Sequence, residues 1–231
     1  MNNWTSSKNF ESKEKATSYA VSYFPNCKNE SIVMMPSTTC IDVREMVKQN
    51  KIDASTSIWN IDNLKSADFK KIYDKKSFFE KTYRKNIKSI IKNCDMNKYH
   101  FIYDYIQETV LTIQTKKGKL RLIYADTCCT YNEGIRSWIS KAPFRESLKK
   151  NGIFALTVML SRHKIDYPIN LNHSYDIISI DKENENQIEK LKMIASDIEQ
   201  IPESGLITKA LISYSDDYRS PMGILIFKKS K

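Results

Sequence analysis

Short apolar runs alternate with helical spacings along this chain. Ser31 to Met35 (SIVMM) is the first run, and it stops on Pro36-Ser37-Thr38-Thr39. Cys40, Val43, Met46 and Val47 then recur at the three-or-four spacing of a helix with one buried face. Ser57 to Ile61 (SIWNI) reads as a second strand, with Asp62 directly at its end. The longest helical pattern follows, carried by Phe69, Ile72, Tyr73, Phe79, Tyr83, Ile87, Ile90, Ile91 and Cys94, with Ser77 as a candidate break. Residues 98 to 114 carry both helical and strand signals, and Lys116-Lys117-Gly118-Lys119 reads as a turn.

The second half is more regular. LRLIYADTCCT (Leu120 to Thr130) is an apolar run that ends on a small polar cluster. A helix-like stretch, NEGIRSWISKAPFRESLKK, leads through Asn151-Gly152 to a second run, IFALTVML. A polar helix spans roughly Glu183 to Gln200, and LITKALISY and MGILIFKK close the chain around the turn SDDYRSP. Strands alternating with helices predict an α/β fold in three layers, with a mostly parallel sheet. The last two runs predict a C-terminal antiparallel β-hairpin. Val33, Ile58, Leu122, Ile123, Phe154, Leu156, Val158, Ile212, Leu225 and Phe227 are the expected core of that one sheet. Residues 1–30 are polar with scattered aromatics and read as an N-terminal helical extension, with a helix near Lys13 to Tyr23. Residues 31–231 read as a single α/β domain.

Composition sharpens the functional classes. The chain has 231 residues, 41% of them hydrophobic, which suffices for one sizeable core. Its formal charge of +10 favours polyanions, so nucleic acid is the expected partner. Lys81, Lys85, Lys88 and Lys92 lie on the basic face of the long helix and are candidate phosphate contacts; a plainly solvated face is the bland alternative. The five cysteines are odd in number and contain no CxxC, so reduced thiols are expected. No run approaches a membrane span, and MNNWTSSKNFESKEK has no apolar signal core. An intracellular protein is expected, cytoplasmic or in a nuclear or host compartment, and not secreted. The first of only five glycines is Gly118. A P-loop and a dinucleotide fingerprint both need earlier glycines after the first strand, so both classes are excluded.

The order of runs and the closing hairpin resemble the class I S-adenosylmethionine-dependent methyltransferases, whose sheet is Rossmann-like. The resemblance covers roughly residues 30 to 228 and rests on layout more than on motifs. It implies S-adenosylmethionine as cofactor, with no metal. The family's first strand ends in an acidic residue and a glycine-rich loop; here the place reads VMMPSTTC, so Pro36, Ser37, Thr38 and Thr39 would lie along the cofactor. Asp62 matches the carboxylate that binds the cofactor ribose. YADTCCTY matches the catalytic position, which makes Asp126, Thr127 and Cys128 the catalytic candidates. Neither the amino-methyltransferase Asp/Asn-Pro-Pro-aromatic motif nor the cytosine-C5 Pro-Cys is present. The chain resembles divergent or degenerate members of the kind that phages and viruses carry.

Each candidate has a structural alternative. Asp62 could cap a helix, and the hydroxyls of residues 37–39 could cap one too. Asp126 could take a hydrogen bond from an amine, act as a general base, or cap the next helix. Cys128-Cys129 could be a nucleophile, a metal ligand or buried structural thiols; no Cys or His lies nearby at ligand spacing. Arg162 and His163 follow the IFALTVML strand and are candidate phosphate or substrate contacts, or a solvated loop. Three functions therefore stand: a methyltransferase acting on nucleic acid, a non-catalytic module of the same fold binding nucleic acid or a protein partner, and an activating subunit of another enzyme.

Overall fold

The computed structural model describes residues 10–35, 40–61, 69–102, 119–160, 167–181, 185–215 and 220–230, with only the backbone of residues 10, 69–79, 128 and 129. The elements are α1 (Phe10–Ser22), β1 (Ser31–Met34), α2 (Ile41–Lys48), β2 (Ser57–Ile61), α3 (Phe69–Ile90) and β3 (Tyr99–Ile102). Then follow β4 (Leu120–Thr130), α4 (Glu133–Ser140), α5 (Ala142–Ser147) and β5 (Leu148–Met159). The chain closes with β6 (Asp176–Ser179), α6 (Glu185–Gln200), β7 (Leu206–Ser215) and β8 (Pro221–Lys229).

The eight strands among the described residues form one sheet in the order β3-β2-β1-β4-β5-β8-β7-β6. The first five are parallel to one another. β8 is antiparallel to both β5 and β7, so the closing hairpin is inserted into the sheet. Side chains alternate between the two faces, and each face carries its own apolar layer. Ile32, Met34, Leu122 and Tyr124 pack with Ala16 and Ala20 of α1, Val43 and Met46 of α2 and Ile87 of α3. Val33, Ile123 and Phe154 pack with Trp138 of α4, Phe144 of α5 and Leu191 and Ile194 of α6. This is the three-layer arrangement expected, and every residue of the expected core is fully buried.

Several boundaries differ from the sequence reading, each for a local reason. α3 runs unbroken through Ser77. NEGIRSWISKAPFRESLKK divides into α4 and α5 at Lys141, whose extended backbone starts the second helix just before Pro143. β5 begins at Leu148, ahead of the apolar run, because Lys150 and Asn151 are exposed and a register shift between Leu120 and Leu122 absorbs them. β6 escaped the sequence reading. It is a short edge strand with exposed Asp176 and Ile177, so it carries no apolar alternation. Of residues 98 to 114, Lys98 ends a short 3-10 helix (Met96–Lys98) and 99–102 form β3; residues 103–114 lie outside the described residues, as does most of SDDYRSP.

β8 approaches α6 closely at one place. A Cβ on Gly223 would lie 2.3 Å from Leu191 Cδ2 and 3.1 Å from Leu191 Cγ. Leu191 is fully buried, so its side chain has little room to retreat. Gly223→Ala should therefore lower stability by about 1–3 kcal/mol through overpacking, read as a fall in the urea midpoint with an unchanged slope.

Candidate active site at the β1–β4 edge

β1 lies between β2 and β4. After β1 the chain turns through α2 towards β2; after β4 it turns the other way, through α4 and α5, to β5. The strand order reverses here, and sheets of this kind form their ligand crevice at the carboxyl ends of the two strands at such a reversal. The last β1–β4 pair is Met34 with Tyr124. β4 continues beyond it, so Asp126 stands past the end of β1. A bulge lies just there: Asp126 pairs with Thr157 and Cys129 with Val158, leaving Thr127 and Cys128 extra. Such bulges bend a strand and re-aim its side chains. The Thr127 hydroxyl braces this one by donating to the Thr157 carbonyl at 2.8 Å.

Three charged groups converge on the crevice. Asp126 projects from the same sheet face as Leu122 and Tyr124, towards α1 and α2. Its Oδ2 accepts from Lys13 Nζ of α1 at 3.2 Å, with side-chain exposures of 7% for Asp126 and 27% for Lys13. Asp42, in the first turn of α2, is only 3% exposed. Its burial, and then the nearby Asp126 carboxylate, push its pKa up from 3.8 to about 7, against the pull of Lys13. α2 starts at Cys40, whose backbone is left-handed at φ 52 and which makes no side-chain cap. Burial pushes the Cys40 thiol up to about 12, so it is no thiolate nucleophile at neutral pH.

Further polar groups lie at the neighbouring strand end. Asn60, next to last in β2, is buried and accepts from the Tyr83 hydroxyl at 2.8 Å. Its Nδ2 is buried without a hydrogen-bond partner among the described residues. The edge thus offers an amide donor at β2, a helix start at β1 and a carboxylate at β4. That set can orient a polar ligand and accept a proton from it.

The sequence candidates divide as follows. Asp126 and Thr127 stand at the crevice, within a β4 whose bounds are those of the run LRLIYADTCCT. Pro36, Ser37, Thr38, Thr39, Asp62, Arg162 and His163 lie outside the described residues, as does the side chain of Cys128. Lys81, Lys85, Lys88 and Lys92 are exposed, opposite the buried Tyr83, Ile87 and Ile91. They are not brought to the crevice. α3 descends from the carboxyl end of β2 to the amino end of β3, and Lys81 lies roughly 18 Å of helix below Phe69. Asp42 and Lys13 were missed. Their signal was a charge on an apolar face: Asp42 is four residues before Met46, and Lys13 is three and four before Ala16 and Thr17.

A second buried carboxylate has a structural role. Asp197 of α6 accepts from the Tyr131 hydroxyl at 2.6 Å and from Arg136 Nε at 3.0 and 3.1 Å. It ties α6 to the end of β4 and to α4. Among the described residues no group of three His, Cys, Asp or Glu could hold a metal ion, and no helix is long and apolar enough to cross a membrane.

This strand order, with an inserted antiparallel β8, is the class I S-adenosylmethionine-dependent methyltransferase fold. The chain is similar to cofactor-bound Rv0187 from MTB, with 8% identity, TM-score 0.54, and 100% of this chain and 84% of that one covered. It is similar to the O-methyltransferase from Bacillus cereus in complex with SAH, with 8% identity, TM-score 0.52, and coverage of 99% and 84%. TrmN from Thermus thermophilus matches at 9% identity and TM-score 0.48 over 94% of this chain, which spans only 48% of its length. No family model matches the sequence, and no curated protein matches it.

The buried Asp42 makes stability depend on pH. The folded chain holds its proton more tightly than the unfolded chain, whose carboxyl titrates near its ordinary value of 3.8. Stability attributable to Asp42 therefore falls as pH rises from about 4 to about 7. Asp42→Asn removes the ionisation, so its stability relative to the native chain should improve by roughly 1–3 kcal/mol between about pH 5 and about pH 8. Thermal melts of both proteins across that range check it.

Proposed function

We propose that this chain is an S-adenosylmethionine-dependent methyltransferase that works at the β1–β4 crevice on a nucleic acid. The observation that carries this reading is Asp126 on its bulge beside Asp42, at the strand reversal of a class I methyltransferase fold. The residues present fit the cofactor. Cys40 adopts the left-handed backbone that glycine usually supplies at such a turn, at a cost of about 1–2 kcal/mol to an L-residue. Asn60 Nδ2 is a buried donor in want of an acceptor. Pro36, Ser37, Thr38 and Thr39 would line one side of the cofactor, and Asp62 would take its ribose hydroxyls. When bound, the cofactor supplies a sulfonium-activated methyl group.

The chain's own residues position and deprotonate the acceptor. Asp126 accepts the acceptor's hydrogen bond and takes its proton, Thr127 holds the bulge that aims it, and Cys128 flanks the acceptor. Asp42, protonated more readily than an ordinary carboxyl, limits the negative charge beside Asp126. α1 packs beside the crevice and brings Lys13 to Asp126. Residues 31–231 form the catalytic domain in this reading, and residues 1–30 its extension. Cys27 and Cys94 are free thiols, which suits a reducing intracellular compartment, cytoplasmic or nuclear. The exposed lysines of α3, with Arg162 and His163, would hold the phosphates of the substrate.

Two measurements test this. Calorimetric titration with S-adenosylmethionine should give saturable heat, and Asp62→Ala should weaken binding by about 1–3 kcal/mol, the loss for a hydrogen bond to a charged group. Absence of both heat and thermal shift would leave the second reading, a non-catalytic module, which the glycine-free loop favours. Separately, affinity for nucleic acid should fall with salt as counterions are released. Changing Lys81, Lys85, Lys88 and Lys92 to Gln should flatten that slope and barely alter folding, since exposed lysines contribute little to stability. An unchanged slope would mean that the stripe is merely solvated.

A further inference from the structure

The crevice already holds an amine. α1 is fixed by Ala16, Ala20 and Val21, all fully buried on the face that meets the sheet. Lys13 shares that face, and the helix carries its ammonium to 3.2 Å from Asp126 Oδ2. The charge is also felt by Asp42 across the crevice. Lys15, two residues on, turns outward and pairs with Glu11 at 2.7 Å, with both side chains mostly exposed. The two lysines differ by less than one helical turn, yet one is a surface ion pair and the other is held at the strand reversal. A carboxylate placed to take a proton from a methyl acceptor is therefore bound to a primary amine of the chain itself.

We infer that Lys13 is a methyl-accepting site of this protein, a self-modification that rests on the methyltransferase reading above. The Lys13 ammonium gives its proton to Asp126, which passes it to solvent. The freed nitrogen lone pair then forms the N–C bond to the methyl group as the C–S bond of the sulfonium breaks. The bonding electrons stay on sulfur, which leaves as the neutral thioether, S-adenosylhomocysteine. Charge and atoms balance, and S-adenosylmethionine is the only co-reactant. Monomethylation keeps the cation and leaves the bridge to Asp126 possible. A first transfer therefore need not expel α1 from the crevice.

The test uses the full chain and two readouts. Without cofactor, Lys13 should react with an acetylating reagent roughly tenfold more slowly than Lys81 and Lys85, because a charge-assisted hydrogen bond ties up its amine. Asp126→Asn should remove much of that protection. Equal rates in the native chain would overturn the proposal. After incubation with S-adenosylmethionine, peptide mapping should find one added methyl group on Lys13. It should be absent in Lys13→Arg, and strongly reduced in Asp126→Asn. Saturable cofactor binding with an unmodified Lys13 overturns this inference and leaves the methyltransferase reading standing. No cofactor binding overturns both.

Discussion

Two carboxylates at one crevice set the terms for the rest of this structure. Asp42 and Asp126 come from elements on opposite sides of the strand reversal, and neither is free to reach bulk water. Burial, and then the Asp126 carboxylate beside it, disfavour the ionisation of Asp42. The arrangement survives because a cation is held against it and because Asp42 can stay protonated near neutral pH. Leaving a buried charge uncompensated would cost several kcal/mol. α1 is thus tied to the crevice by electrostatics as well as by its apolar face.

The surrounding architecture serves the same edge. β4 outruns β1, so its last residues project where a ligand can meet them. The bulge sits at the first residues beyond the shared ladder, and Thr127 anchors it to β5. On the other sheet face, Asp197 gathers Tyr131 and Arg136, holding the end of β4 to α4 and α6. That second carboxylate is paired with an arginine in two-oxygen contact, so its charge is spent on rigidity. Asp126 is held by the Lys13 ammonium, whose side chain is 27% exposed and lies on a helix at the crevice. The two acidic sites therefore differ in what they can do, although both are largely buried.

Most of the fold was legible because its strands are dense apolar runs and its helices keep one apolar stripe. SIWNI and MGILIFKK need no context to be read as buried strands. β6 was not legible, since an edge strand four residues long buries too little to impose a pattern. The site was half legible. Asp126 stood out because it interrupts a long apolar run. Asp42 was hidden by the ordinary preference of acids for a first helical turn, which explains such a residue without burial. Lys13 was hidden by its polar neighbourhood, where a lysine attracts no notice. What separates these from surface charges is phase: both sit in step with buried residues of their own helices, and phase is visible only once the helix limits are known.

The scarcity of glycine bears on how such a fold can keep its site. In a nucleotide-binding loop glycine does two things: it permits left-handed backbone, and it lets a ligand approach the chain. Here the first is met without it, since Cys40 takes the left-handed conformation and tolerates the strain within a packed helix start. The second is not met by any residue with a side chain. A ligand at this edge must therefore be held more by side chains than by bare backbone. Among the described residues, the side chains available are Asn60, whose Nδ2 has no acceptor there, and the carboxylates of the crevice. The chemistry of the site shifts from amides that bind phosphate to carboxylates that bind cations and amines. A sulfonium cofactor suits that change better than a phosphate-bearing nucleotide would.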